Sequence, residues 1–267
     1  MRSLLPVLLA GVALGADRTA VRAGIDWGHP LSRGLLWLVA MDEQAGSTVE
    51  RVRGAGGSMN GGVSWNGWAR GSALNFDGNG DYVAFAGALD SYASNVGTFF
   101  VLLPVIRAWD TNGAMLWGTN TGNAAYFQMG GTFNTAWLFG AEITSVTNSQ
   151  FLNSGAWAFV FSSDGTAAGK RFFANGRQMG TADANAPTAL SAGAKTFRLG
   201  NWAGGDSWDL DGKIALAGFT AAVWGESEAA RFTADPMAML RPPLVVARRY
   251  ASAAGLSPAG LLNNPRD

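Results

Sequence analysis

Acidic pairs are the first residues to test for chemistry. Hydrolysis of a glycosidic bond on a β scaffold needs two carboxyl groups about 5 to 10 Å apart across a cleft. On a single strand that means acids at i and i+2 or i+4, which share a face. Asp209 and Asp211 meet the spacing, but they stand beside the Asp211-Gly212 turn rather than inside an apolar strand. Without burial a carboxyl group does not acquire the raised pKa of a general acid, so no catalytic residue is assigned. A serine triad is less supported still: His29 is the only histidine and lies in an aromatic and proline-containing entry segment, and no Gly-x-Ser-x-Gly elbow is present. Asp77-Gly78-Asn79-Gly80-Asp81 has the alternating oxygens of a calcium loop. Tyr82 replaces the required glycine and no glutamate closes the loop at its twelfth position, so the segment reads as a turn and no metal site is assigned.

The tryptophans are more informative. Trp202 and Trp208 bracket Ala203-Gly204-Gly205-Asp206-Ser207, with Asp209 following. Indole faces stack against sugar rings and carboxylates accept hydroxyl hydrogen bonds, so Trp202, Asp206, Trp208 and Asp209 form a candidate ligand-binding loop for a glycan. The same composition also suits a contact with a neighbouring subunit, or a loop packed by its own domain.

Composition narrows the classes. The chain has 267 residues, 48% of them hydrophobic, enough for a substantial core. Nineteen basic residues balance nineteen acidic ones, so no bulk field draws the chain to nucleic acid or an anionic membrane. The absence of cysteine removes disulfides, thiolate nucleophiles and cysteine-ligated metals, and the sequence calls for no cofactor. Only 14% of residues are charged, against 37 glycines, 11 tryptophans and 15 phenylalanines, which points to glycine-turned strands.

The punctuation from Arg33 to about Trp224 agrees. Asn-Gly pairs start at Asn60, Asn66, Asn79, Asn112 and Asn175, and Asp-Gly pairs at Asp77, Asp164 and Asp211; both tolerate the positive φ of tight turns. Between them lie alternating runs, with Trp157, Phe159 and Phe161 on one face and Ala156, Ala158 and Val160 on the other. Arg171 to Met179 predicts a hairpin about Asn175-Gly176. Further strands are expected at Leu74 to Phe85, Thr98 to Leu103, Met115 to Gly118, Ala136 to Phe139, Thr196 to Gly200 and Lys213 to Val223. Phe76, Trp157, Phe159, Phe161, Phe219 and Trp224, with Trp37, are the expected core. The one helix expected is Glu226 to Ala234, with early glutamates at its positive end and Pro236 stopping it.

The ends have a different character. Arg2 precedes an apolar run from Leu4 to Leu14, which reads as a secretory signal or as an apolar arm, and is too short to span a membrane. After Pro236 the chain is rich in Pro, Ala, Gly and Ser, an extended tail that needs a partner to hold a shape.

The order of motifs resembles the laminin G-like, concanavalin A-like jelly-roll family. Gly34-Leu35-Leu36-Trp37-Leu38 with Asp42 to Thr48 is similar to its first strand and acidic turn, and Ala73 to Val83 to its second signature. Gly155 to Val160 with Phe173-Ala174-Asn175-Gly176 is similar to its middle hairpin, and Leu210 to Ile214 through Val223-Trp224 to its closing strand. Ala215 and Leu216 stand where relatives often carry an acidic pair, so a calcium-linked role of that pair is not carried over. The flanks Ile25 to Leu35 and Ala234 to Pro242 resemble laminin G-like proteins encoded by tailed bacteriophages and prophages, which are virion components.

These readings predict an all-β chain: an arm or signal-like segment over 1–32, a two-sheet antiparallel jelly-roll sandwich over 33–235, and an extended tail over 236–267. The resemblance implies a non-enzymatic structural or binding protein on the virion surface, decorating the capsid or belonging to the tail, with host glycans as ligands. Its implied partners are major capsid or tail proteins and further copies of itself, reached through terminal arms. A secreted bacterial lectin-like adhesin is the alternative reading, and a glycoside hydrolase the third.

Overall fold

A computed structural model describes residues 24–87, 89–109, 114–119, 126–129, 136–138, 141–144, 148–189, 193, 196–201 and 208–240. The strands among them begin with β1 (Leu35–Ala40), β2 (Ser58–Asn60), β3 (Ser64–Trp68), β4 (Gly71–Asp77), β5 (Tyr82–Ala86) and β6 (Val96–Leu103). They continue with β7 (Val105–Trp109), β8 (Ala114–Thr119), β9 (Tyr126–Met129), β10 (Ala136–Leu138), β11 (Ala141–Thr144) and β12 (Trp157–Asp164). The last six are β13 (Arg171–Ala174), β14 (Arg177–Met179), β15 (Thr181–Ala182), β16 (Thr196–Leu199), β17 (Leu210–Ile214) and β18 (Leu216–Thr220). The α-helix among the described residues is α1 (Glu226–Ala234), where the sequence expects it.

The strands form a β-sandwich. One sheet runs β1-β18-β6-β12-β13-β14, a second β15-β11-β10-β9-β8-β16-β5-β2, and a third β3-β4-β17-β7. All the pairings among the described residues are antiparallel. Trp37, Phe99, Phe159 and Phe219 of the first sheet meet Phe85, Trp117 and Phe197 of the second, and Phe76 and Ile106 of the third, in one buried cluster. Edge-on ring contacts such as Trp37 on Phe85, 5.4 Å between centroids, hold this aromatic core.

The third sheet departs from the two expected, and its cause is local. Register between β6 and β18 is unbroken into β7 and β17, since Leu216 faces Leu102 and Lys213 faces Val105. Pro104, which has no N–H to give the ladder, and Ala215 lie between the paired segments, so one long ribbon bends there instead of ending. The expected single strand from Lys213 to Val223 is thereby divided. Two of the Asn-Gly and Asp-Gly pairs also fall inside strands, Asn66-Gly67 in β3 and Asp211-Gly212 in β17, the latter at a register shift. Asn175-Gly176 is a turn as read, with φ of 48° and 78°. Asn112 lies outside the described residues.

The first sheet is buried on both faces. On β12, Phe159 and Phe161 point into the sandwich core, while Ala158 and Val160 join an outer layer with Phe100, Phe173, Trp224 and Phe232. Phe100 stacks on Trp224 at 4.7 Å and meets Phe232 edge-on at 5.1 Å. Gly218 of β18 leaves the space that the Phe100 ring fills, since a Cβ there would overlap the ring. Trp224 is therefore buried as expected, but in this outer layer and beyond the end of β18; Trp157 is only half-buried. Packing reaches past residues 33–235 on both sides: Leu31, Met239 and Leu240 are buried in the outer layer, and Asp26 N–H donates to the Met239 carbonyl at 2.8 Å. Residues 1–23 and 241–267, most of the expected arms, lie outside the described residues.

Because α1 contributes its Phe232 side chain to a layer that covers a central sheet, Phe232→Ala should lower unfolding free energy by about 3 to 5 kcal/mol. Urea denaturation followed by tryptophan fluorescence measures this; a loss under about 1 kcal/mol would mean that the helix is a dispensable cover.

Candidate functional site

The acids that the sequence singles out are spent on the scaffold. Asp209 is buried, and its Oδ2 accepts the Gly80 N–H at 3.0 Å while Oδ1 accepts from the Asn201 amide. Asp81, also buried, accepts the Asp77 N–H at 2.8 Å on one oxygen and the Gly62 N–H on the other. Asp77 in turn accepts the Asn79 N–H at 3.0 Å, closing the bend in which Gly78 and Gly80 take φ of 82° and 70°. This acid latch carries the chain from β4 in the third sheet to β5 in the second. Asp211 accepts from Arg107 Nε at 2.5 Å, and the same guanidinium donates to Asn75 Oδ1 and the Phe76 carbonyl. Asp209 and Asp211 thus serve different partners and do not face one cleft.

Burial dominates the titration of Asp81. It raises the carboxyl above the ordinary value, helped by the neighbouring Asp77 charge, while the two backbone donors pull the other way. His29, the one histidine, accepts the Leu31 N–H on Nδ1 at 3.3 Å and caps the turn Pro30–Ser32.

Of the four residues read as a ligand loop, Trp202 and Asp206 lie outside the described residues. Trp208 is half-buried, and Asp209 is the buried acid of the latch. The described residues show a second aromatic surface that the sequence reading missed. Among the described residues, edge strand β3 pairs only with β4, from Ser64 opposite Asn75 to Trp68 opposite Gly71, with Ala69-Arg70 as the two-residue connection. Trp65 and Trp68, three apart on a strand, fall on opposite faces, Trp65 against the sandwich core and Trp68 against the outer layer. Both line a groove of about 340 Å3 that wraps the strand edge, together with Gln44, Asn66 and Ser72.

This groove is preorganised. Trp65 Nε1 donates to the Gly46 carbonyl at 2.8 Å and Trp68 Nε1 to the Ser72 carbonyl at 3.0 Å, which fixes both ring planes. Asn66 is exposed and its Oδ1 accepts from Lys213 Nζ at 2.8 Å, so its two amide hydrogens remain on the rim. Gln44 holds a φ of 64°, a left-handed backbone that costs a non-glycine residue about 1 kcal/mol and is frequent at binding sites. Over Gly67 a Cβ would meet nothing within 4 Å, so the space above that residue is open. The signal was present in Ser64-Trp65-Asn66-Gly67-Trp68: two indoles on a short polar strand, masked by reading Asn66-Gly67 as a turn.

No protein-family model and no curated protein matches the chain. Solved structures do. Domain 4 of an extracellular arabinanase from Geobacillus stearothermophilus, in complex with arabinotriose, is similar with a TM-score of 0.52 and 15% identity, over 74% of this chain and 98% of that one. A Trypanosoma rangeli sialidase in complex with sialic acid matches at 0.53 and 12% identity over 77% of this chain. The binding domain of botulinum neurotoxin serotype D/C matches at 0.54 and 10% over 75%. The likeness spans 33% of the sialidase chain and 52% of the toxin chain. At these identities the likeness is one of fold: a β-sandwich.

The raised Asp81 pKa has a pH signature. The folded state holds this proton more tightly than the unfolded chain, so Asp81 favours folding below the ordinary value of about 3.9 and loses that contribution as pH rises through the folded value. The stability of wild type minus that of Asp81→Asn, from urea titrations between about pH 4 and pH 7, should therefore fall with pH and then level off. A difference that rises with pH would contradict a burial-dominated site.

Proposed function

We propose that this chain is a non-catalytic carbohydrate-binding module, and that the hairpin groove of Trp65 and Trp68 is where it holds sugar. The observation that carries this is the pairing of two indoles, locked by their own N–H bonds, with the amides of Gln44 and Asn66 around one groove. Indole faces match the apolar C–H faces of pyranose rings, and amides match hydroxyls that both donate and accept. The volume is at the small end of the range of about 300 to 1,000 Å3 typical of small-ligand sites, suited to a short run of sugar rings. Two of the similar β-sandwich structures were solved with saccharide bound, arabinotriose and sialic acid, which agrees with the reading.

The finer reading is that the module is displayed on a tailed-phage particle, on the head or the tail, and attached through its terminal segments to capsid or tail proteins and to further copies. What favours it is the pair of flanking motifs, Ile25 to Leu35 and Ala234 to Pro242, which resemble those of phage-encoded proteins and which meet in space through Asp26 and Met239. Purified particles containing the intact chain support it; a chain found only in culture supernatant, beginning near Ala16, supports the secreted adhesin instead. The Trp202 to Trp208 part of the loop is proposed as a further ligand contact, without Asp209, whose buried carboxylate is spent on Gly80 and Asn201.

Screening on a glycan array and calorimetry on the best binder test the sugar site. Trp68→Ala should weaken binding at least about 10-fold, or about 1.4 kcal/mol, whereas Trp27→Ala, at a residue 59% exposed and outside the groove lining, should leave it unchanged. Equal affinities for wild type and Trp68→Ala would remove the groove from the function.

A further inference from the structure

Trp68 belongs to two grooves. Beyond the one of about 340 Å3 at the edge of β3, a second of about 510 Å3 lies between the hairpin and the end of α1, lined by Trp68, Arg70, Leu102, Ala156 and Thr233 among others. A single sugar ring occupies one of them; a chain that passes over the shared indole occupies both.

The hairpin and its neighbour β17 carry cations without counterions. Lys213 Nζ donates to Asn66 Oδ1 at 2.8 Å and to the Gly67 carbonyl at 3.3 Å, both neutral acceptors, and an ammonium has a third hydrogen to give. Arg70 is exposed at the hairpin turn. Among the described residues neither has a carboxylate within ion-pair distance. The nearby acids have other partners: Asp42 and Glu43 share Arg51, Glu43 also accepts from Thr48 Oγ1 and the Val49 N–H, and Asp211 pairs with Arg107. Arg70 lines the second groove, and Lys213 of β17 stands beside the first through its bonds to Asn66 and Gly67, which line it, so each groove has a cation next to it.

We infer that the hairpin binds a linear acidic polysaccharide laid across Trp68, with its acid groups held at Lys213 and Arg70. This rests on reading the hairpin as a sugar site and names the class of sugar. Rings stack on the indoles, Asn66 and Gln44 meet the hydroxyls, and the two cations select for charge, an attraction between exposed groups that salt screens.

The test uses the full chain against immobilised polygalacturonate, alginate and hyaluronan, each beside its carboxyl-reduced counterpart, in which every carboxylate has become a neutral hydroxymethyl group. At least one acid polymer should bind about 10-fold more tightly than its reduced form at about 20 mM salt, with the preference shrinking at about 300 mM. Lys213→Gln and Arg70→Gln should each cut that preference several-fold, while Trp27→Ala, outside both groove linings, leaves it unchanged. Thr233→Trp, which fills the second groove, should weaken the polymer but not a disaccharide of the same sugar. Equal binding of acid and reduced forms, or a preference that survives in the Lys213→Gln, Arg70→Gln double variant, overturns the inference while the sugar site stands. Binding to none of the six polymers overturns the inference, and the sugar site then falls only if the glycan array is also blank.

Discussion

The rest of the molecule depends on a sheet that must be dry on both faces. β6, β12 and β18 present aromatic and aliphatic residues alternately to the sandwich core and to the opposite side, so the opposite side needs its own cover. Trp224 and α1 supply it from the C-terminal side, and Leu31, Met239 and Leu240 complete it. The segments on either side of the jelly roll are thereby part of its packing. The edge of the same sheet is closed economically: the buried Glu50 carboxylate accepts the Leu38 N–H of β1 at 3.2 Å, and Arg51 N–H donates to the Leu38 carbonyl at 2.7 Å. A side chain and a loop thus stand where a further strand would otherwise pair.

Much of this architecture was legible from residue order, and the reasons differ by element. Trp157 to Phe161 alternates strictly, so its two faces could be assigned, and Asn175-Gly176 marks a turn because both residues tolerate positive φ. The helix was legible from its glutamates and Pro236. The third sheet was not, because at Pro104 and Ala215 the core-facing parity shifts by one residue on both strands: Leu103 and Ile106, and likewise Ile214 and Ala217, all face the sandwich core, and in so uniformly apolar a run the shift leaves no mark in the sequence. Asn66-Gly67 and Asp211-Gly212 misled for a related reason. Glycine serves close approach as well as turns, and at Gly212 a Cβ would lie 2.7 Å from the Val105 carbonyl oxygen.

The candidate sites divide along a physical line that sequence does not draw. Glu50, Asp81 and Asp209 are buried acids whose oxygens accept backbone N–H groups, so they act as connectors between segments that no regular ladder joins. From the chain alone an acid that closes a loop is indistinguishable from one that does chemistry. The hairpin indoles are the reverse case. Trp65 and Trp68 each bury one part and leave another at the groove, a division that becomes visible only once β3 is known to be an edge.

The bond from Asp26 to Met239 places the first and last described segments of the domain side by side. A unit whose entrance and exit adjoin behaves as a cassette: it can be spliced into a surface loop of another protein, or have its ends joined and be reopened elsewhere, without stretching its sheets. Seen this way, the outer layer built by Leu31, Met239 and Leu240 is a clasp, and the sandwich is a bead that can be strung on any chain able to close that clasp.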